Sequence, residues 1–421
     1  MIEIRPGHIQ NTDVVVPGSK SYTHRLLIAA ALSDGQCRIH NPLRSEDTLL
    51  TMGALKQMGV HIHDTGDSIT VQGTGGALGP CDRPIYLANS GTSMRLLTGV
   101  AALGMGPYTL TGSKRMHERP IQDLLDGLIP LGVDARSVNN DGCPPVIING
   151  GHLKGGATSV RCRISSQFIS SLLLMAPCTS EGVDIRVTEG LVSRPYVDMT
   201  IDIMEKLGIR VRRQAYERFR IAGGQPYRAG DYMVEPDCSQ AGYFWAAAAI
   251  TGAAIRVRGI SATSRQGDVQ FARVLEQMGC HVNYDQEGIT VTGGPLRAVT
   301  VDMADMPDVV PTLAVVAAFA RGTTVIENVA HLREKESDRL GTVAHELNRM
   351  GISAEVTDSG LTITGGAPGG AEIETYNDHR IAMSFAVAGL TVPGVKIRGE
   401  QCVEKSFPNY WDVFNSLYSR G

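Results

Sequence analysis

The segment ALKQMGV (Ala54–Val60), followed closely by ITVQG (Ile69–Gly73), decides the fold, because its pattern occurs five times in the chain. Each copy consists of an amphipathic helix that ends in Leu or Met and then Gly, followed by two strands joined by a turn. The glycines that end these helices are 71 to 76 residues apart. Such regular self-similarity predicts a repeat architecture. The other copies are GLIPLGV…VIINGG (Gly127–Gly151), IMEKLGI…FRIAGG (Ile203–Gly224), VLEQMGC…ITVTGG (Val274–Gly294) and ELNRMGI…LTITGG (Glu346–Gly366).

The two ends of the chain complete the pattern. The stretch VFNSLYSRG (Val413–Gly421) has the character of the same helix, and its last glycine lies 70 positions after Gly351. The chain begins with two short apolar runs, Met1–Ile4 and Thr12–Gly18, which we interpret as a hairpin around a Pro-Gly turn. We therefore predict a sixth unit, closed by pairing the N-terminal hairpin with the C-terminal helix.

The length of 421 residues exceeds what one compact core holds and predicts two or three domains. Six units divide most simply into three plus three. We predict an α/β protein whose first lobe spans residues 19–235. The second lobe is discontinuous and spans residues 1–18 and 236–421, with both termini in it.

Composition excludes several classes of protein. The net charge of −4 and the pI near 6.3 leave no overall basic field for nucleic acid. Eight scattered cysteines without C-x-x-C spacing argue against a disulfide framework or a zinc site. The apolar stretches are too short to span a bilayer, and the first residues lack a signal-peptide pattern. We therefore expect a cytoplasmic protein without membrane or nucleic-acid partners and without a metal site.

A polar cluster precedes each of six almost wholly apolar helices. A helix that is apolar on all sides is buried, so only its first turn meets solvent. Ser, Asn and Asp at that turn can cap the free amide groups. The six clusters are GSKS (Gly18–Ser21), NSGT (Asn89–Thr92), SSQ (Ser165–Gln167), DCSQ (Asp237–Gln240), MPD (Met306–Asp308) and NDHR (Asn377–Arg380).

A second set of polar clusters precedes the amphipathic helices. Because the units are equivalent, the helix N-termini of one lobe should share one face, where their positive ends attract anions. Lysines and arginines add to this charge, so we expect a ligand with phosphate and carboxylate groups. The clusters are RSED (Arg44–Asp47), KRMHERP (Lys114–Pro120), VSRPY (Val192–Tyr196), SRQGD (Ser264–Asp268), REKESDR (Arg333–Arg339) and EKSFP (Glu404–Pro408).

Each feature taken singly has a plainer interpretation. A single Ser or Asp at a helix start is more often a simple cap, and REKESDR reads equally well as a solvated charge run. His61 and His63 alternate on a strand and are interpreted as one face of a hairpin rather than as a metal site. The order Gly-Ser-Lys at Gly18–Lys20 is not that of a nucleotide phosphate loop. The matched positions of many clusters favour a functional site.

Together these clusters resemble the 5-enolpyruvylshikimate-3-phosphate synthase family, almost from end to end of the chain. The resemblance implies a two-lobed inside-out α/β barrel of six repeated units, three per lobe, each with two helices and a four-stranded sheet. The lobes of this family close on substrate. The motifs that carry the resemblance are PGSKSYTHR (Pro17–Arg25), NSGTSMR (Asn89–Arg95), RMHERPI (Arg115–Ile121), SSQF (Ser165–Phe168), SRPY (Ser193–Tyr196), REKESDR (Arg333–Arg339), YNDHR (Tyr376–Arg380) and KSFPNY (Lys405–Tyr410).

The resemblance also implies an activity and a set of site residues. Members transfer the enolpyruvyl group of phosphoenolpyruvate to the 5-hydroxyl of shikimate 3-phosphate, by addition and elimination and without a cofactor. By resemblance Asp308 is the base for the hydroxyl, while Glu336 and Lys20 move the other protons, and the protein is expected to be a monomer. Shikimate 3-phosphate would be bound by Lys20, Ser21, Arg25, Ser165, Ser166, Gln167, Ser193, Asp308, His331 and Lys335. Phosphoenolpyruvate would be bound by Lys20, Gly91, Arg119, Gln167, Arg339, Arg380 and Lys405.

Two alternatives stay open at this point. A sibling enolpyruvyl transferase acts on UDP-N-acetylglucosamine and typically carries a cysteine in the loop equivalent to Thr111–Arg119, where this chain has none. A non-enzymatic binding protein on the same scaffold would be expected to lose the acid–base residues. Asp308, Glu336 and Lys20 are all present, which favours an enzyme.

Overall fold

The computed structural model describes residues 1–419, which form twenty-three strands and twelve α-helices. The chain divides into two compact units. The continuous unit is Gly18–Glu235, and the discontinuous unit is Met1–Pro17 together with Pro236–Gly421. The α/β class and the repeated units predicted from the sequence are confirmed.

The N-terminal segment supplies two strands to the discontinuous unit, β1 (Ile2–Ile4) and β2 (Thr12–Val14). The continuous unit follows. Its strands are β3 (Gln36–His40), β4 (His61–Asp64), β5 (Ser68–Gln72), β6 (Ile85–Tyr86), β7 (Tyr108–Thr111), β8 (Asp134–Ser137), β9 (Val146–Asn149), β10 (Gly156–Cys162), β11 (Val183–Leu191), β12 (Val211–Gln214), β13 (Arg218–Ile221) and β14 (Asp231–Met233). Its helices are α1 (Lys20–Ala31), α2 (Glu46–Gln57), α3 (Gly91–Ala101), α4 (Gln122–Leu128), α5 (Gln167–Met175) and α6 (Pro195–Lys206).

The continuous unit contains three four-stranded sheets of one design, with strand orders β14-β3-β5-β4, β6-β7-β9-β8 and β10-β11-β13-β12. In each sheet the predicted hairpin pairs antiparallel with an earlier strand, which pairs parallel with an edge strand. Side chains alternate between the two faces of a strand. On β13, Phe219 and Ile221 are buried, whereas Arg220 is exposed. The apolar faces of the sheets and the buried helices α1, α3 and α5 therefore share one core.

The discontinuous unit repeats this design. Its further strands are β15 (Ala254–Arg258), β16 (His281–Tyr284), β17 (Gly288–Thr292), β18 (Thr300–Asp302), β19 (Thr323–Glu327), β20 (Ser353–Val356), β21 (Leu361–Thr364), β22 (Glu372–Glu374) and β23 (Val395–Arg398). Its helices are α7 (Cys238–Thr251), α8 (Phe271–Gln277), α9 (Val310–Ala317), α10 (Arg339–Arg349), α11 (His379–Ala388) and α12 (Tyr410–Asn415). Short 3-10 helices of the chain are Met116–Glu118, Ile129–Leu131, Ala176–Cys178, Gly267–Gln270, Pro307–Val309, Ala330–Glu334 and Glu400–Lys405.

The N-terminal hairpin predicted from the sequence is wrong. Strand β1 pairs antiparallel with β23 in a sheet of order β1-β23-β22, whereas β2 pairs parallel with β15 in the sheet β16-β17-β15-β2. The residues between them follow the C-terminal segment instead of turning back: the N–H of Gln10 donates to the Leu417 carbonyl at 3.1 Å. The third sheet of this unit is β18-β19-β21-β20, and the sheet that contains β1 has three strands within residues 1–419. The predicted helix end at Gly421 lies outside the described residues.

The polar clusters start the buried helices as predicted. Ser19 accepts a hydrogen bond from the N–H of Tyr22 at the start of α1, and Asp237 accepts one from Gln240 at the start of α7. These caps supply acceptors for amide groups that the helix itself leaves unpaired. Across residues 1–419, no helix has the length and apolar character needed to cross a membrane.

Candidate active site

In the discontinuous unit, one carboxylate joins the first turns of three helices. Asp308 lies in the short helix Pro307–Val309 before α9, and Arg339 is the first residue of α10. Arg339 Nη1 donates to Asp308 Oδ1 at 3.0 Å, and Nη2 of Arg380, from the first turn of α11, donates to Asp308 Oδ2 at 2.8 Å. Each oxygen of Asp308 is therefore engaged by a different arginine.

Arg339 connects Asp308 to two further carboxylates. Its Nη2 donates to Glu336 Oε2 at 2.9 Å and its Nε to Asp378 Oδ2 at 2.8 Å. Arg339 is only 2% exposed. Burial alone would lower its pKa, but Asp378, Glu336 and Asp308 raise the pKa above its ordinary value, so the guanidinium is permanently charged. The interpretation of REKESDR as a solvated charge run therefore fails for Arg339.

Arg380 is also buried and charged. Its Nη1 donates to the Tyr243 hydroxyl at 3.1 Å. Burial disfavours the charge, but the carboxylate of Asp308 and other nearby groups raise the pKa of Arg380 well above its ordinary value. The two arginines thus form a fixed positive pair that a carboxylate or a phosphate could bind through bidentate hydrogen bonds.

Three further candidates of this unit lie on its short helices or next to them. His331 is buried in Ala330–Glu334, where burial and the charge of Lys335 lower its pKa to about 3. The imidazole is therefore neutral near pH 7 and can act as a hydrogen-bonding group without a charge. Lys335 follows that helix and is half-buried, and Lys405 ends Glu400–Lys405 and is buried.

In the continuous unit, Lys20 is the first residue of α1. Its Nζ donates to Asp47 Oδ2 at 3.1 Å, and Asp47 lies in the first turn of α2. Ser21 follows Lys20 and is half-buried. The pairing holds the Lys20 side chain at the starts of both helices, as a role in proton transfer or anion binding requires.

The Arg25 side chain is enclosed by protein groups. It is 1% exposed, and it donates to Thr200 Oγ1 at 2.7 Å and to the Ser21 carbonyl at 3.0 Å. Burial lowers the pKa of Arg25 to about 10. Within the described residues it makes no hydrogen bond to the side chain of another candidate residue, so it is placed near Lys20 in sequence but is held by α6 and its own helix.

Gly91 and Arg119 lie in contact at the start of α3. Arg119 Nη1 donates to the Asn89 carbonyl at 3.0 Å, and this arginine is 3% exposed. A Cβ atom on Gly91 would lie 2.4 Å from Arg119 Nη2. The absence of a side chain at Gly91 therefore allows the guanidinium to lie against the helix start.

Gln167 connects the starts of α3 and α5. Its Oε1 accepts a hydrogen bond from Arg95 Nη1 at 3.0 Å, and its Nε2 donates to Thr92 Oγ1 at 2.9 Å. The N–H of Gln167 donates to Ser165 Oγ at 3.2 Å. Ser166 is buried beside them, and Ser193 is buried with a positive φ of 55° at the turn before α6.

Sequence reasoning missed several residues that hold the candidates in position. Asp47 pairs with Lys20, Arg95 with Gln167, and Asp378 with Arg339. Each of the three lies within a quoted motif or cluster: RSED, NSGTSMR or NDHR. The motifs therefore contain these residues, but the sequence alone does not show which side chain each of them pairs with.

Comparison with known protein families matches residues 4–414 to EPSP synthase (3-phosphoshikimate 1-carboxyvinyltransferase). The 3-phosphoshikimate 1-carboxyvinyltransferases of Syntrophobacter fumaroxidans and Methanoculleus marisnigri are 44% and 45% identical over 407 residues, which cover 96% of each chain. An EPSP synthase structure from Acinetobacter baumannii is 31% identical with a TM-score of 0.82, covering 99% of this chain and 98% of that one. The enolpyruvyl transferase NikO from Streptomyces tendae, at 22% identity and a TM-score of 0.78, shares the fold.

Proposed function

This chain belongs to the EPSP synthase (3-phosphoshikimate 1-carboxyvinyltransferase) family, and on that premise we propose which of its residues carry out the reaction. The enzyme transfers the enolpyruvyl group of phosphoenolpyruvate to shikimate 3-phosphate, in the shikimate pathway to aromatic amino acids. The observation that carries our proposal is the engagement of Asp308 by Arg339 and Arg380.

Asp308 is the base that takes the proton of the 5-hydroxyl. The hydroxyl oxygen bonds to C2 of phosphoenolpyruvate while C3 gains a proton, which gives a tetrahedral ketal phosphate. Loss of a proton from C3 then reforms the double bond, and the C2–O bond to phosphate breaks. This sequence needs an acid–base set and cations around the phosphate.

The two arginines link donor binding to the base. When the carboxylate or phosphate of phosphoenolpyruvate takes their N–H groups, those groups are withdrawn from Asp308. A carboxylate oxygen of Asp308 then becomes available to the incoming hydroxyl. Glu336, held on the same Arg339, and Lys20 supply and remove the protons at C3 and at the leaving phosphate.

The remaining candidates bind the two substrates. The arginines supply the bidentate donors that the carboxylate and phosphate of phosphoenolpyruvate favour. Phosphoenolpyruvate is bound by Lys20, Gly91, Arg119, Gln167, Arg339, Arg380 and Lys405. Shikimate 3-phosphate is bound by Lys20, Ser21, Arg25, Ser165, Ser166, Gln167, Ser193, Asp308, His331 and Lys335. Because Arg25 is enclosed by protein groups, it must give up one of its present hydrogen bonds in order to bind the phosphate of shikimate 3-phosphate.

Phosphate release tests the function. We expect release when the protein is mixed with both substrates and none in a control without shikimate 3-phosphate. Replacing the acceptor with UDP-N-acetylglucosamine separates this activity from that of the sibling transferase. Phosphate release only with the nucleotide sugar would refute the proposal.

We also propose that the enzyme is a cytoplasmic monomer that needs neither cofactor nor metal and binds neither membrane nor nucleic acid. The net charge of −4 supports the absence of nucleic-acid binding, and eight scattered cysteines without C-x-x-C spacing suit a reducing compartment. Sedimentation equilibrium should give the mass of one chain, 45.1 kDa. Activity should persist in excess chelator, and its loss with recovery on adding a divalent ion would contradict metal independence.

A further inference from the structure

One buried carboxyl close to the Asp308 network has no role in the reaction proposed above. Asp268 lies in the short helix Gly267–Gln270 and is 3% exposed. Its Oδ2 accepts a hydrogen bond from Ser239 Oγ, in the first turn of α7. Its Oδ1 is buried and has no hydrogen-bond partner among the residues that the structure describes. A buried polar atom left unpaired is costly, and it points to a function or to a partner that arrives later.

The equivalent position in the first repeat shows what Asp268 lacks. Asp47 precedes the helix-ending Gly59 by 12 residues, and Asp268 precedes Gly279 by 11. Asp47 pairs with Lys20, which is the first residue of α1. The first residue of α7 is a cysteine, Cys238, so Asp268 has no lysine at this place.

The cation that acts on Asp268 instead is Arg380, because the short helix of Asp268 packs against α7 and against the short helix of Asp308, and α11, which carries Arg380, also packs against α7. The charges of the two groups interact, and each contributes to the pKa of the other. Arg380 uses its two terminal nitrogens for Tyr243 and Asp308, while its Nε is buried without a hydrogen-bond partner in the described part of the chain. An unpaired acidic oxygen and an unpaired N–H of a buried cation therefore lie within electrostatic range of each other.

The surroundings of Asp268 determine its protonation. Burial, together with repulsion from Asp308, raises the pKa of Asp268 to about 7 against the opposing effect of Arg380. The charged groups of α8, Arg273 and Glu276, are exposed on its outer side. The groups that face Asp268 from α7, from the short helix before α9 and from α11 are Asp237, Ser239, Asp308 and Arg380.

We propose that Asp268 is a positioning residue that controls how strongly Arg380 is available to phosphoenolpyruvate. In its ionised form Asp268 attracts the guanidinium and competes with the anionic substrate. In its neutral form it no longer competes, and Asp308 and Asp237 balance the charge of Arg380. This inference rests on the proposed role of Arg380 as a ligand of phosphoenolpyruvate.

The sign of the pH effect follows from this competition. Below pH 7 Asp268 is protonated and neutral, so the KM for phosphoenolpyruvate is low. Above pH 7 it is ionised, and the KM rises. The substrate titrates in the same range, so the effect has to be read from the ratio of KM values of two enzymes measured at the same pH.

Asp268→Asn supplies this comparison, because asparagine keeps the shape and stays neutral at every pH. With shikimate 3-phosphate saturating, we expect the parent and Asp268→Asn to have similar KM values at pH 6. At pH 8.5 the KM of the parent should be about fivefold higher than that of Asp268→Asn, the lower end of typical coupling between sites. A purely structural role would change KM or stability without this dependence on pH.

Ser239→Ala is an independent second variant. The Ser239 hydroxyl stabilises the ionised carboxylate, so its removal raises the pKa of Asp268. The rise of KM should then shift to higher pH. A KM ratio that is constant from pH 6 to 9, or a Ser239→Ala profile that superimposes on the parent, would overturn the proposal, and the second result stands even if Asp268→Asn fails to fold. Absence of phosphate release by the parent at every pH would refute the proposed function instead.

Discussion

At Asp308 the two arginines leave no carboxylate oxygen without a hydrogen bond, so its chemistry depends on what engages those arginines. Asp308→Asn keeps the shape but cannot take a proton. We expect turnover to fall by about 10²- to 10⁴-fold, the usual contribution of a general base, with the affinity for shikimate 3-phosphate largely kept. Phosphate-release assays and calorimetric titration measure the two quantities.

Asp305→Asn is the matched control for that variant. Asp305 lies three residues earlier and is exposed, so its loss of charge should leave turnover unchanged. Near-normal turnover in Asp308→Asn would return Asp308 to a structural role.

Gly91 tests the placement of Arg119. In Gly91→Ala the new methyl group would lie 2.4 Å from Arg119 Nη2, and the buried guanidinium would have to move. Loss of one hydrogen bond to a charged group is worth about 1.5–3 kcal/mol, so we expect the KM for phosphoenolpyruvate to rise at least about tenfold. Gly53→Ala in α2 is the control, since a Cβ there meets nothing within 4 Å. An unchanged KM in Gly91→Ala would show that Arg119 does not bind this substrate.

At the scale of elements, the first turn of α10 carries Arg339 and depends on its cap. Asp338 accepts a hydrogen bond from the N–H of Gly341 at 3.2 Å and is exposed. Asp338→Ala should lower the free energy of unfolding by about 1 kcal/mol, the usual cost of losing a cap. Asp338→Asn keeps the acceptor and should be close to the parent in urea denaturation. Equal losses in both variants would mean that charge, rather than capping, stabilises this turn.

The elements also show where sequence reasoning succeeds and where it stops. The helix–hairpin pattern correctly predicted the repeated hairpins, and the polar clusters correctly predicted the starts of the buried helices, because caps and periodic apolar residues act locally. The polar cluster KRMHERP directly precedes α4, which begins at Gln122, and its residues Met116–Glu118 form a short helix of their own. The predicted pairing of β1 with β2 is wrong, because their true partners β23 and β15 lie hundreds of residues away in sequence.

The same limit applies to the candidate site. The residue types of the site could be predicted from motifs, because anionic substrates require Arg and Lys near helix starts. The pairing of Arg339 with three separate carboxylates could not be predicted, since these carboxylates precede three different helices, α9, α10 and α11. Side-chain contacts between repeats depend on tertiary packing, and no local pattern in the sequence predicts them.

At the scale of the whole molecule, residues 1–17 complete two sheets of the discontinuous unit. Their deletion removes β1 and β2 from edge positions beside β23 and β15. We expect this unit to lose its cooperative unfolding transition while the continuous unit keeps its own. Residues 18–235 alone should fold, because β3–β14 find all their partners within that range. Scanning calorimetry of the two truncated chains measures this, and an unfolded 18–235 fragment would contradict it.

The separation of β1 and β2 from their partners also sets the order of assembly during translation. The partner of β2 ends at Arg258 and that of β1 at Arg398. At ribosomal rates of about 5–20 residues per second, β1 waits roughly 20–80 s for its partner. During that interval the continuous unit is already free to fold as it leaves the ribosome. Strand β2 thus stays unpaired until β15 has been made, and β1 stays unpaired until β23 has followed.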